Sequence, residues 1–210
     1  MFSTVNNRIS KKIRLYFFYC FLLIFSFSTF ENSFAENNVI SIGNKDAKVT
    51  VKVFSSLTCP HCANFHEKIF YKTNKEFIES NVVKFEHHPF PLDMASLNAE
   101  KVLRCSTNSS SKMEFLGEIY EKQNFWASSS DINSINAKLL KIAKNYNLNN
   151  DKVNNCLNDE KLEEQILNSL IESDKKYKIT STPTIIINDK KYDGKHNYED
   201  FRKEIKKFLE

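Results

Sequence analysis

Two cysteines stand two residues apart in the tetrapeptide Cys59-Pro60-His61-Cys62. An alternating apolar stretch precedes this tetrapeptide and a helical pattern follows it, so Cys59 is expected at the N-terminus of a helix. Unpaired backbone N–H groups and the helix dipole favour the thiolate at that position, and the thiolate is the nucleophilic form of cysteine. The spacing of the two thiols therefore predicts thiol–disulfide redox chemistry.

The two cysteines are expected to have different roles. Cys59 is predicted to be exposed and to be the sulfur that attacks and is attacked, whereas Cys62 faces the core one turn later and resolves the mixed disulfide. His61 lies between them and can donate a hydrogen bond to the Cys59 thiolate or stabilise its charge, which lowers the Cys59 pKa further. Because a stabilised thiolate stabilises the reduced pair, the disulfide is predicted to be a strong oxidant.

The elements that position this pair follow from the periodicity of the apolar residues. Residues 48–54 alternate and are predicted to be the first strand. Helical spacing follows as far as Phe77, and Pro60 suits the first helical position because the N–H that it lacks would be unpaired there. Residues 82–88 return to a strand pattern. A strand, a helix and a second strand predict a right-handed crossover unit.

The second half of the chain reads as mainly helical. Between Leu92 and Thr182 there is no proline and one glycine, Gly117, and the apolar spacing predicts a helical insertion of roughly 80 residues. A buried strand is predicted at residues 184–187, with a turn and a hairpin partner at residues 190–192. A closing amphipathic helix is predicted from five apolar residues at helical spacing: Tyr198, Phe201, Ile205, Phe208 and Leu209.

The first 35 residues have the composition of a targeting segment. Four basic residues precede a 16-residue apolar run from Leu15 to Phe30, and Ser33-Phe34-Ala35 has a small-x-small pattern. We therefore predict a signal peptide over residues 1–35, cleaved after Ala35. An uncleaved membrane anchor is the alternative, because the run is only slightly shorter than the roughly 20 residues that span a bilayer.

Removal of residues 1–35 leaves 175 residues with 26 basic and 25 acidic side chains. This near-neutral, mixed composition argues against nucleic acid or an anionic membrane as a partner. The length suits one domain with at most one embedded subdomain. Four cysteines remain, an even number that is typical of an oxidising compartment. Of the three pairings, Cys59–Cys62 with Cys105–Cys156 is the obvious choice.

The sequence resembles the DsbA family of periplasmic thiol:disulfide oxidoreductases. The resemblance rests on four motifs spread over about residues 39–209: Cys59-Pro60-His61-Cys62, Phe90-Pro91-Leu92-Asp93, Phe125-Trp126 and Thr182-Pro183-Thr184. It implies an α/β thioredoxin-like fold with a helical insertion domain between the second strand and the cis-proline strand. The thioredoxin-like core is then expected at residues 36–91 and 179–210, and the insertion at residues 92–178.

The resemblance also implies a cis bond between Thr182 and Pro183, in a loop that lies against the cysteine pair. The backbone of Thr182 is then expected to bind an extended substrate chain as an added strand, with Pro183 at the catalytic site. An ordinary proline at the start of a strand is the alternative. Some family members carry a second disulfide in the insertion, which the pair Cys105 and Cys156 resembles. A structural role is favoured for it over a regulatory one.

The implied function is an enzyme that donates the Cys59–Cys62 disulfide to newly exported proteins in the periplasm. A membrane partner like DsbB would reoxidise it, the mature protein would be soluble, and no cofactor is expected. A disulfide isomerase or reductant of the same compartment is an alternative, since threonine before the cis-proline also occurs in isomerases. A different class is a chaperone or metal-binding module that uses Cys59, Cys62 and His66, although Pro183 would crowd out a metal.

One departure from the family concerns His66. Many DsbA-like sequences have an acidic residue near this position, so the sequence leaves open how the proton of Cys62 is handled. The adjacent residues His87 and His88 are expected to point to opposite faces of their strand and therefore not to share a metal ion.

Overall fold

The computed structural model describes residues 39–106 and 109–210. The predicted signal peptide, residues 1–35, lies outside the described residues, and so does the choice between a cleaved leader and a membrane anchor. Within the described ranges, no helix combines the length and the apolar character that crossing a membrane requires.

A mixed β-sheet lies at the centre of the described part of the chain. Its strand order is β1-β3-β2-β4-β5. Strands β2 and β3 are parallel, and the other neighbouring strands are antiparallel. The strands are β1 (Ile40–Ile42), β2 (Val49–Ser55), β3 (Val83–Pro89), β4 (Thr184–Ile187) and β5 (Lys190–Lys191).

The alternating pattern before the cysteine pair produces the expected strand. Val49, Val51 and Val53 are 0%, 0% and 3% exposed, which places all three in the core. The prediction of a first strand at residues 48–54 is wrong in one respect, because β1 precedes it. Three residues are too short for a periodic signal, and β1 exists because its backbone pairs with β3, Ile40 lying opposite His87.

Helix α1, residues 60–78, follows β2 and leads into β3. It consists of four successive segments in which α-helical and π-helical turns alternate: Pro60–Phe65, His66–Phe70, Tyr71–Thr73 and Asn74–Ile78. Such π-helical turns are frequent at functional sites and rotate the following side chains around the helix axis. Simple helical spacing in the sequence does not show them.

In the part of the chain that the structure describes, six helices lie between β3 and β4, and one helix follows β5. They are α2 (Met94–Arg104), α3 (Ser109–Glu121), α4 (Gln123–Trp126), α5 (Ile132–Ala143), α6 (Asn150–Leu157), α7 (Glu160–Tyr177) and α8 (Tyr198–Leu209), with a 3-10 turn at Lys144–Tyr146. The predicted α/β fold with helices inserted before the strand at residues 184–187 is confirmed. The domain limits at residues 91 and 178 stay predictions.

One apolar core joins the inserted helices to the sheet. Trp126 of α4 is fully buried in it together with Phe65 of α1 and Leu116 of α3. The indole Nε1–H of Trp126 donates to the carbonyl oxygen of Ile119 at 2.8 Å, so this buried donor is satisfied. The insertion therefore packs directly against the helix that begins at the cysteine pair.

Candidate active site

Cys59 is the N-cap residue of α1. Its backbone is extended, with φ of −76° and ψ of 120°, and Pro60 is the first helical residue. Cys59 is partly exposed, whereas Cys62, one turn later, is 2% exposed. Both are free thiols in the structure, so the pair is in its reduced form. Solvent and a substrate can therefore reach the sulfur of Cys59 but not that of Cys62.

The pKa of the Cys59 thiol is lowered to about 5. The largest cause is a hydrogen bond from the Cys62 thiol; partial burial opposes it, and hydrogen bonds from Thr182 and from the backbone N–H groups of Cys62 and His61 add to it. At neutral pH Cys59 is therefore a thiolate, held by donors at the helix N-terminus.

The pKa of the Cys62 thiol is shifted in the opposite direction. Burial raises its pKa far above the ordinary value for a thiol, and the hydrogen bond to Cys59 and the charge on Cys59 raise it further. Cys62 therefore keeps its proton until it reacts. The pair combines an accessible thiolate with a buried, protonated thiol.

His61 is exposed beside the thiols. Its backbone N–H is one of the donors that lower the Cys59 pKa. It also interacts electrostatically with His196, whose pKa is lowered first by burial and second by the charge of His61. The sequence did not indicate His196, which lies in the loop before α8. The role of the His61 imidazole stays a prediction.

The loop before β4 lies against the cysteine pair. The peptide bond between Thr182 and Pro183 is cis, and the Cys59 Sγ lies 3.4 Å from the carbonyl oxygen of Thr182. Pro183 is buried and Thr182 is partly exposed. The Thr184 hydroxyl donates to the Ser181 carbonyl oxygen at 2.7 Å and so braces the loop. The backbone of Thr182 thus borders the reactive sulfur.

Gln123, at the start of α4, holds the cysteine loop from the side of the insertion. Its side-chain amide donates to the carbonyl oxygens of Leu57 at 2.8 Å and of Cys59 at 3.1 Å. The residue is 7% exposed, so these bonds are shielded from water. The sequence interpretation missed Gln123, although it precedes the Phe125-Trp126 motif by two residues.

Residues at the N-terminus of α2 also hold the loop that precedes Cys59. Asp93 caps the helix by accepting from the Ser96 N–H at 2.7 Å, and its second oxygen accepts from the Thr58 hydroxyl at 2.7 Å. The Ser96 hydroxyl accepts from the Leu57 N–H at 2.8 Å and from the Ser56 hydroxyl at 2.9 Å. The residues before Cys59 are thus fixed to the first turn of the insertion. The sequence analysis used the Phe90-Pro91-Leu92-Asp93 motif for the family resemblance and did not predict this contact.

A disulfide joins Cys105, which follows α2, to Cys156 in α6, across 51 residues of sequence. It links two helices of the insertion and leaves Cys59 and Cys62 as the free pair. The choice between a structural and a regulatory role stays open at this point.

His66 lies deep in the core instead of at an open site. Its ring stacks on Phe70 with centroids 4.4 Å apart, and burial followed by the charge of His87 lowers its pKa to about 3. Among residues 39–106 and 109–210, no group of three or more His, Cys, Asp and Glu side chains is placed to hold a metal ion.

Comparisons with known proteins agree with this geometry. A family model described as thioredoxin matches residues 35–207. A Rickettsia typhi protein provisionally named protein-disulfide oxidoreductase is 29% identical over 153 residues, which cover 73% of this chain and 56% of the relative. The chain thus spans less than two thirds of the length of the rickettsial relatives that it matches.

Two further proteins match over most of their length. Disulfide bond formation protein D of Bacillus subtilis is 29% identical over 181 residues, covering 80% of this chain and 76% of that protein. The crystal structure of alpha-DsbA1 from Wolbachia pipientis superposes with a TM-score of 0.74 and 27% identity, covering 81% of this chain and 90% of that one. The fold is therefore thioredoxin-like, with the helical insertion that was predicted.

Proposed function

Because this chain belongs to the thioredoxin-like DsbA family, we propose that it is a thiol:disulfide oxidoreductase that donates the Cys59–Cys62 disulfide to newly exported polypeptides. The observation that carries the proposal is the contrast between the two thiols. Burial raises the pKa of Cys62, whereas hydrogen bonds lower the pKa of the accessible Cys59 to about 5. Such a pair has one sulfur that exchanges with substrate and one that stays inside.

The reaction begins when a substrate thiolate attacks the Cys59 sulfur of the oxidised enzyme. The Cys59–Cys62 bond breaks, Cys62 leaves as a thiolate that takes up a proton, and a mixed disulfide joins Cys59 to the substrate. A second substrate thiolate then attacks the substrate sulfur of that bond. Cys59 departs readily because a thiol of low pKa is a good leaving group, and the substrate gains a disulfide.

The contrast between the pKa values of Cys59 and Cys62 also sets the direction of the reaction. Stabilising the Cys59 thiolate stabilises the reduced enzyme, so the disulfide form becomes the stronger oxidant. Known potentials of about −120 mV for DsbA and about −270 mV for thioredoxin differ by roughly 7 kcal/mol for two electrons, and they are values for other proteins of this fold. We place this protein at the oxidising end.

Substrate capture is assigned to the loop at Thr182 and Pro183. An extended chain can pair with the backbone of Thr182 as an added strand, which recognises unfolded polypeptides with little dependence on their sequence. Apolar side chains flank the anchors of the cysteine loop: Leu92 and Met94 on either side of Asp93, and Phe125 two residues after Gln123. They are 60%, 58% and 46% exposed, and they suit an unfolded polypeptide or a membrane partner.

The proposed setting is the periplasm, where a DsbB-like membrane protein would return the pair to its oxidised form. The signal peptide predicted over residues 1–35 and the disulfide between Cys105 and Cys156 both suit an oxidising compartment.

The experiment that tests the proposal is the reduction potential of the Cys59–Cys62 pair, measured by equilibrating the purified protein with glutathione buffers. A value near −120 mV supports a disulfide donor, and a value near −270 mV indicates a reductant. Refolding of a reduced substrate and of a scrambled one then separates oxidase from isomerase, because an oxidase accelerates the former and an isomerase the latter.

A further inference from the structure

A small cavity lies behind Cys62, on the side away from the substrate. Its volume is about 10 Å³, and its polar lining consists of the side chains of Ser55, Cys62, His66, His87 and Tyr120. This volume is close to that of one water molecule, which needs two to four polar partners to be stable in a protein interior. Five polar side chains thus line one small cavity beside the resolving thiol, together with four apolar ones.

Two polar atoms in this lining have no hydrogen-bond partner within the described part of the chain. They are the His66 Nε2 and the Tyr120 hydroxyl, both fully shielded from solvent. A buried polar atom without a partner costs roughly 1–3 kcal/mol, so two of them around one cavity require an explanation. One water bound there would satisfy both atoms and reach the neighbouring Ser55 hydroxyl.

A chain of buried hydrogen bonds leads from the cavity to a carboxylate. The Ser55 hydroxyl lies 3.1 Å from the His87 Nδ1, and the His87 Nε2 lies 2.7 Å from the Glu100 Oε1. Glu100 is fully buried and also pairs with the Arg104 guanidinium. The sequence did not indicate this chain of hydrogen bonds, because Ser55, His87 and Glu100 come from three separate elements, β2, β3 and α2.

The directions of these hydrogen bonds follow from the carboxylate. The charge of Arg104 and the contact with His87 oppose the effect of burial on Glu100, and its pKa is lowered overall, so it is ionised. When the His87 imidazole is neutral, its Nε2–H donates to Glu100 and its Nδ1 accepts from the Ser55 hydroxyl. The Ser55 oxygen keeps its lone pairs free to accept a proton from the cavity.

Cys62 needs such an acceptor. When it attacks a mixed disulfide at Cys59 it must lose its proton, and the thiol is shut off from bulk water. Two histidines line the cavity, and their surroundings differ. The His66 ring packs against the rings of Phe70, Tyr71 and Tyr120, whereas the His87 Nε2 lies 2.7 Å from the Glu100 carboxylate. A carboxylate is therefore in contact with His87, whereas His66 packs against aromatic rings.

Building on the function proposed above, we propose that Ser55, His87 and Glu100 form the proton relay of Cys62, reached through one water in the cavity. As the Cys62 sulfur attacks the Cys59 sulfur, the bond from Cys59 to the substrate sulfur breaks and that sulfur leaves as a thiolate. The Cys62 proton passes to the water, a water proton to Ser55, and the Ser55 proton to the His87 Nδ1. The resulting imidazolium is held by Glu100.

The reverse transfer serves the donation of a disulfide. When a substrate thiolate attacks Cys59 in the oxidised enzyme, Cys62 leaves as a thiolate and takes its proton from His87 through the same groups. The titratable and charged groups around the relay are Cys59 and His66 at α1, Tyr120 of α3, His88 of β3, and Glu100 and Arg104 of α2. Of these, only Glu100 is an anion in contact with His87.

The test follows single-turnover oxidation of the reduced protein by excess oxidised glutathione, quenched with acid and analysed by mass spectrometry. Cys59 first forms a mixed disulfide with glutathione, and Cys62 then displaces it. In His87→Gln we expect the first step to be unchanged and the second to be slowed about tenfold or more at pH 7, since general acid–base groups typically contribute at least that factor. The slow step should recover as pH rises, because hydroxide then removes the Cys62 proton.

Three variants sharpen this test. Tyr120→Phe removes one buried hydroxyl, which interacts with the Ser55 side chain, and should slow only the second step, as should Ser55→Ala. His88→Gln is the matched control, because His88 is adjacent in sequence but pairs with Glu86 and packs on Phe54. It should react like the unaltered protein.

The outcomes separate the relay from the proposed function. If the unaltered protein forms no mixed disulfide at Cys59, the proposed function fails. If it does, and His87→Gln and Ser55→Ala resolve the mixed disulfide at the normal rate, the relay is overturned. Slowing in His66→Phe without slowing in His87→Gln would also overturn it, because His66 would then be the acceptor.

Discussion

The sulfur of Cys59 lies 3.4 Å from the carbonyl oxygen of Thr182, although 123 residues separate the two in the chain. This contact brings the reactive thiol of α1 to the edge of the loop that precedes β4. A substrate that pairs with the backbone of Thr182 would therefore carry its own sulfur past Cys59. Binding of the substrate main chain and disulfide exchange with Cys59 would then occur at the same site.

Replacing Cys59 by serine should abolish oxidation of a reduced dithiol peptide, because no other described thiol is both free and accessible. Replacing Cys62 instead should trap a mixed disulfide between Cys59 and the peptide, since the internal sulfur that releases it is gone. Peptide fluorescence and mass spectrometry measure the two effects. Activity retained without Cys59 would remove it from the role assigned here.

The reduced protein should gain stability relative to the oxidised protein as pH rises. The folded pKa of Cys59 is about 5, below the ordinary value of 9.0, so the contribution of its thiolate is complete above about pH 9 and is lost as pH falls towards 5. Cys62 has a raised pKa and stays protonated over this range. Melting temperatures of both forms between pH 5 and 9 measure the effect. The oxidised form is the control, because its Cys59 does not titrate.

Replacing His61 by serine should make the Cys59–Cys62 disulfide a weaker oxidant. Loss of the imidazole beside the thiolate is expected to raise the Cys59 pKa, and each pKa unit corresponds to roughly 30 mV for two electrons. Glutathione equilibration measures the potential, and thiolate absorbance gives the pKa in parallel. An unchanged potential would mean that backbone donors at the helix N-terminus suffice. His196→Ser is an informative companion, because the charge of His61 lowers the pKa of His196.

Replacing Gln123 by leucine should lower the free energy of unfolding by about 1–3 kcal/mol, because the buried carbonyl oxygens of Leu57 and Cys59 lose their donor. Urea denaturation of the reduced protein measures the change. Asn124→Leu is the matched control, since Asn124 is the exposed neighbour on the same helix. Equal stability of the two variants would show that Gln123 does not anchor the loop.

Replacing both Cys105 and Cys156 by alanine should lower the free energy of unfolding by roughly 4 kcal/mol, as the chain-entropy model gives for a closed loop of about 50 residues. Thermal or urea denaturation measures this loss. The rate of peptide oxidation should stay nearly unchanged, because neither residue is part of the Cys59 and Cys62 pair. A large shift of the active-site potential would instead support a regulatory role.

Local signals in the sequence were sufficient for much of the fold. The alternating valines of β2 and the position of Pro60 at the first turn of α1 depend on neighbouring residues, so their patterns are readable along the chain. The strand at residues 184–187 was also predicted. By contrast, β1 was missed, because a three-residue strand has no period of its own and forms only through its pairing with β3.

The spacing of Cys59 and Cys62 and the proline between them predicted that both cysteines lie in the first turn of one helix, and this spacing already indicates thiol–disulfide chemistry. The side chains that surround the two cysteines are brought there only by the tertiary structure. Gln123 reaches the cysteine loop from the insertion, and His87 and Glu100 meet behind Cys62 from two elements. The physical reason is that burial and hydrogen bonding between distant segments depend on how those segments pack. The periodicity of neighbouring residues in the sequence does not predict that packing. The different pKa values of two neighbouring thiols arise from that packing.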